Sequence, residues 1–153
     1  MRYMNVSSST ALQKIYFVLS QDIETLELMT EKKTEKRSID FITSLIEAKK
    51  KIIALLPSTQ VEMLSQPSST PDNTLSVGYK SKDHIAEKSM SGLLSILYDL
   101  EEEQRQYVAA AHTDAAISDE HKSIIQEVLH IYGQITEQLK RSQNTRQINP
   151  IQL

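Results

Sequence analysis

Apolar residues recur every three or four positions in four stretches of the chain, and polar or proline-bearing segments separate these stretches. In the first, Leu12, Ile15, Leu19, Ile23, Leu26 and Thr30 share one stripe, with Tyr16 beside it. This is the period of a helix that buries one side, and it predicts a helix over about 11–32. Thr10 and Gln13 make a capping-box pair at its start. The second stripe, Ile39, Ile42, Ile46, Ile53 and Leu56, is flanked by Leu45 and Ile52. It predicts a helix over about 34–56 that ends before Pro57. The polar EKKTEK segment between the two reads as a tight turn.

The third stripe contains Leu93, Leu97, Leu100, Tyr107 and Ala111, with Ile96 and Val108 at its edges. It predicts a helix over about 82–112, with Ser81 as its cap. Ser118 then caps a fourth helix, and Asp119 and Glu120 suit the positive end of its dipole. That helix, over about 118–141, carries Ile124, Val128, Ile131, Ile135 and Leu139, with Ile125 and Tyr132 beside them. No segment alternates long enough to make a sheet. The remainder of the middle, residues 57–81, holds Pro57, Pro67, Pro71 and Gly78. It is too long for an ordinary helix–helix connection. Its length is explained if helices two and three run parallel, because the chain must then travel the whole bundle. A 22-residue helix is about 33 Å long, which such a segment spans. Val61 to Leu64 reads as an extra turn within it. The expectation is therefore a single all-α domain over 1–153, an antiparallel four-helix bundle with one long crossover.

Composition supports a single core and narrows the chemistry. At 153 residues and 17.4 kDa, the chain can bury one core of ordinary size. Seventeen basic against twenty acidic residues leave a formal charge of -3, which gives no field to draw a polyanion. The basic clusters at Lys32-Lys33, Lys36-Arg37 and Lys49-Lys50-Lys51 lie among acids and without tryptophan, so nucleic-acid binding is not expected. The absence of cysteine removes disulfides, thiolate metal sites and cysteine nucleophiles. The first segment lacks the apolar run of a signal peptide, and no stretch is apolar enough to span a bilayer. The reading is a cytoplasmic protein, and the polar end RSQNTRQINPIQL is expected to fray.

The layout of two helical hairpins joined by a long crossover resembles the ferritin-like superfamily. Helix three, LLSILYDLEEEQRQYVAAAH (Leu93 to His112), resembles the acidic stretch followed by tyrosine and alanines in a bacterial group of uncharacterised ferritin-like bundle proteins of similar length. The resemblance implies the same bundle and raises the question of a di-iron or di-manganese centre. Such a centre needs one glutamate from each of two helices and a Glu-x-x-His from each of the other two. The chain holds one Glu-x-x-His, Glu127 to His130. At about 100° per residue, His130 lies about 150° from the apolar stripe of its helix and Glu127 about 90° from it. The corresponding place in helix two reads Glu47-Ala48-Lys49-Lys50. Helix three presents Gln104 inward, with Glu101 and Glu103 at opposite edges, and helix one offers Asp22 and Glu27 at its edges. The six-ligand pattern is not met. The residues left to the metal-binding alternative are Glu27, Glu103, Glu127 and His130, with iron or manganese as the cofactor.

Other chemistry finds less. Glu101-Glu102-Glu103 fan across about 200° of a helix and cannot converge on one substrate. The glycines Gly78, Gly92 and Gly133 are isolated, and no serine sits in a nucleophile elbow. Three polar residues do face inward: Lys49, Gln104 and His121. A buried lysine needs a charged partner, and Glu103 or Asp22 are the candidates across the core. His121 reads as a half-buried histidine bonded to a neighbouring helix. Apolar residues beyond the stripes, Phe17, Val18, Leu28, Met29 and Phe41, suggest a homodimer through helices one and two. The expected function is a non-catalytic scaffold or interaction domain without a cofactor. The alternative is a metal-binding oxidoreductase or storage-like bundle.

Overall fold

A computed structural model describes residues 2–56, 89–113 and 117–153, with side chains described from residue 11 onward. Four helices make up the fold: α1 (Arg2–Lys32), α2 (Lys36–Leu55), α3 (Met90–His112) and α4 (Asp119–Thr145). There is no strand among the described residues. The crossover segment, the turn expected at Val61–Leu64 and Ser81 lie outside the described residues.

Two helix starts differ from expectation. The backbone of α1 is already helical from Arg2, so Thr10 lies inside the helix and does not cap it. α3 begins at Met90, after the extended residue Ser89, eight residues later than expected. At the end of α2 and the start of α4, local chemistry acts as anticipated. Leu56 is extended, as a residue before a proline must be, and this ends α2 ahead of Pro57. Ser118 caps α4, with its Oγ accepting from the backbone N–H of His121 at 3.2 Å.

α4 runs past the expected end at Lys140-Arg141 because its buried face continues through Leu139 and Ser142. Arg146 then takes a left-handed conformation (φ 58°), which reverses the chain. The following segment does not fray. Ile151 is buried, and its N–H donates to Ser44 Oγ on α2 at 2.7 Å. Gln138 on α4 clasps the backbone of Gln152, donating to its carbonyl at 2.6 Å and accepting from its N–H at 2.8 Å.

α1 packs on α2, α3 on α4, and α2 on α4. The last pairing gives the topology. The tail links Ser44 on α2 to Gln138 on α4, and Lys49 on α2 lies against Tyr132 on α4. The two helices therefore run antiparallel. α3 is also antiparallel to α4, its hairpin partner, so α2 and α3 are parallel. The connection between them must cross the length of the bundle, as a crossover does.

The core is continuous through all four helices and includes Leu12, Leu19, Phe41, Ile52, Leu97, Ile125 and Leu139. Its positions step by three and four along each helix: Ile15, Leu19, Asp22, Leu26, Met29 on α1 and Ile42, Leu45, Lys49, Ile52 on α2, with Leu56 just past its end. α3 continues the pattern with Leu94, Leu97, Glu101, Gln104, Val108, and α4 with Ile125, Val128, Tyr132, Ile135, Leu139. This 3-4 spacing is the seam of near-antiparallel helix bundles. Each seam carries a polar residue near its middle.

Candidate functional site

Those polar residues meet in the centre of the bundle. Asp22 from α1, Lys49 from α2, Glu101 and Gln104 from α3 and Tyr132 from α4 are all buried. The Lys49 ammonium holds the carboxylate of Glu101 by both oxygens, at 2.9 Å to Oε1 and 2.7 Å to Oε2. It also lies 3.3 Å from Asp22 Oδ2 and donates to Gln104 Oε1 at 3.2 Å. Its nitrogen is 5.4 Å from the centroid of the Tyr132 ring, within reach of a cation–π attraction.

Gln104 ties the remaining helices together. Its Nε2 donates to Asp22 Oδ2 at 2.7 Å, and its Oε1 accepts from the Tyr132 hydroxyl at 2.8 Å. Only this amide orientation is satisfied. The reverse would set an NH2 against the ammonium and an oxygen against a carboxylate. α1, α2 and α4 are thus each bonded to α3 through one glutamine.

Electrostatics keep the centre charged. Burial alone lowers the pKa of Lys49, but Glu101 first and Asp22 second outweigh it, and the ammonium is held above the ordinary lysine value. The Tyr132 hydroxyl is pushed well above its usual value, chiefly by burial and then by Glu101 and Asp22. At neutral pH the phenol is a donor and the lysine a cation. Neither is a base or nucleophile in that state. The arrangement can bind a positive charge and fix the register of four helices.

The sequence candidates fare unequally. Lys49 and Gln104 face inward as expected, and Asp22 is a partner of Lys49. The second acid is Glu101 rather than Glu103, which is exposed. Glu101 and Asp22 sit on their helix seams, not at the edges where a single stripe had set them. Glu27, Glu127 and His130, like Glu103, are exposed on the outer faces of their helices and do not converge. Among the described residues no group of three His, Asp or Glu side chains could hold a metal ion. The central residues do not fit a di-metal centre, because an ammonium occupies the midpoint where two cations would share the acids.

His121 is half-buried at the start of α4, and its Nδ1 is enclosed without a hydrogen-bond partner. Among the described residues its ring does not make the hydrogen bond expected to a neighbouring helix. Eleven residues, or about 16 Å of helix, separate it from Tyr132. The sequence pattern marks Tyr132 only as an apolar neighbour of the α4 stripe, and its hydroxyl, which donates to Gln104, leaves no signal in that pattern.

No protein-family model, no curated protein and no solved structure matches the chain. Among the described residues no helix is long and apolar enough to cross a membrane.

Proposed function

We propose that this chain is a non-catalytic helical bundle of ferritin-like layout that serves as a scaffold or interaction domain in the cytoplasm. The observation that carries the proposal is the buried Lys49 ammonium, bonded to Asp22, Glu101 and Gln104 at the meeting point of all four helices. A charge-compensated centre of this kind specifies one packing of the helices, a use for which buried polar groups are best attested. Its lysine is held protonated and its tyrosine neutral, and neither form acts as a base or nucleophile. The chain then works by presenting its outer faces to partners.

A second copy is the first partner to consider. Val18, Met29 and Phe41 are consumed by the chain's own core, so much of the apolar surface attributed to a dimer is accounted for internally. Phe17 and Leu28 remain exposed. They are eleven residues apart, which places them within about 20° of each other on α1. The proposed homodimer contact therefore narrows from both helices of the hairpin to this face of α1.

Elemental mass spectrometry tests the non-catalytic reading, on protein purified without chelator and again after reloading with iron or manganese. The proposal expects no stoichiometric metal in either preparation. Two retained equivalents would support the oxidoreductase alternative instead. Sedimentation at high micromolar concentration tests the dimer, and a Phe17→Glu variant should be monomeric where the parent is not.

A further inference from the structure

The centre of the bundle has the geometry of a receptor for a primary ammonium group. Nζ of Lys49 is surrounded by four oxygens from three side chains: Glu101 Oε2 at 2.7 Å, Glu101 Oε1 at 2.9 Å, Gln104 Oε1 at 3.2 Å and Asp22 Oδ2 at 3.3 Å. The face of Tyr132 closes part of the remaining approach at 5.4 Å. Those distances suit the N–H···O bonds of an ammonium. Calcium takes its oxygens at about 2.3–2.6 Å and magnesium at about 2.0–2.1 Å, both shorter than any contact here. Two carboxylates supply the charge attraction, and the aromatic face favours a soft organic cation over a small hydrated ion. Lys49 is fully buried, and the seam positions on either side of it, Leu45 and Ile52, are apolar core residues.

We infer that the oxygens of Asp22, Glu101 and Gln104, with the Tyr132 ring, form a binding site selective for a primary alkylammonium, which the chain fills with its own Lys49. The inference rests on the charge-compensated centre described above. Cutting the side chain back to alanine leaves an enclosed cavity the size of a short alkyl chain with the oxygen cluster at its end. A short alkylammonium then restores the lost interactions from solution. Access need not be through the folded wall, because a ligand that binds only the native state stabilises it by mass action.

The test uses the full-length Lys49→Ala variant and propylammonium chloride, with tetramethylammonium, sodium, calcium and manganese chlorides as comparisons at matched ionic strength. Thermal unfolding is followed by circular dichroism. The expected result is a saturable rise in the midpoint of about 5 °C or more with propylammonium, and no comparable rise with tetramethylammonium or sodium. If the variant is unfolded in buffer, the same salts are compared for recovery of its helical signal. Lys49→Met, which fills the cavity, should respond to none of them. An equal response to all cations, or none to propylammonium, overturns the inference while leaving the non-catalytic reading intact. A response confined to calcium or manganese also overturns it, and shows that the oxygens select metals once the lysine is gone. Metal retained by the unaltered protein would instead count against the proposed function.

Discussion

Removing one partner from a buried ion pair costs more than the pair contributes, because the residue left behind is charged and desolvated. Lys49→Met leaves Asp22 and Glu101 side by side in the core, so it should destabilise the protein by about 3–5 kcal/mol at neutral pH. Adding Asp22→Asn and Glu101→Gln to the same chain removes the stranded charges and should recover much of that loss. Chemical denaturation of the single and triple variants checks this, and strictly additive effects would argue against a shared network. Alkali provides a second check. Lys49 and Tyr132 both have pKa values raised in the folded protein. The fold therefore holds these two protons longer than the unfolded chain does. Their contribution is complete below the unfolded values of about 10–10.4 and is lost as pH climbs through the folded ones. Thermal midpoints should change little through these two groups from pH 7 to about 9.5 and then fall. Tyr132 should ionise together with unfolding in an absorbance titration. In a Lys49→Met, Tyr132→Phe double variant the alkaline fall should be shallower.

At the scale of the helix, caps and glycines give smaller effects. Ser118→Ala removes the acceptor for His121 N–H and should cost about 1 kcal/mol. Gly133 lies inside α4, and a Cβ built there meets nothing within 4 Å. Gly133→Ala should stabilise by about 1 kcal/mol, which shows that this glycine is tolerated rather than required for a close helix approach. Both values follow from denaturant midpoints. The helices themselves were legible in the sequence because each has a long one-sided stripe. Ser118 was legible because a serine followed by two acids has a mechanism at a helix start. The start of α1 was not, since a run of three serines, Ser7 to Ser9, separates Met4 and Val6 from the main stripe and Thr10 offered a later start. The centre was half legible. A 3.6-residue stripe placed Asp22 and Glu101 at helix edges, whereas the 3-4 seam runs through Asp22, Lys49, Glu101 and Tyr132. Counting the steps Leu97–Glu101–Gln104–Val108 or Ile15–Leu19–Asp22–Leu26 would have found both acids. The docked tail was not legible for a different reason. Ile148 and Ile151 stand among polar residues, and their docking depends on Ser44 and Gln138, which lie on other elements.

For the whole molecule, one polar centre couples helices that otherwise pack through apolar side chains. α3 is its hub, through Glu101 and Gln104, and the tail adds a separate brace between α2 and α4. Gln104→Leu breaks the links to Asp22 and Tyr132 together. It should therefore loosen α1 and α4 against α3 in hydrogen exchange, beyond the effect of a change confined to α3. The account stands or falls on the buried ammonium itself. Ammonium protons of exposed lysines exchange with water too fast to be seen at neutral pH, whereas one enclosed among Asp22, Glu101 and Gln104 is shielded. Lysine-selective nitrogen-15 spectra at neutral pH measure this directly. The account predicts a protected ammonium signal that disappears in Lys49→Met. A spectrum with no protected ammonium, or with a protected signal that survives Lys49→Met, would contradict it.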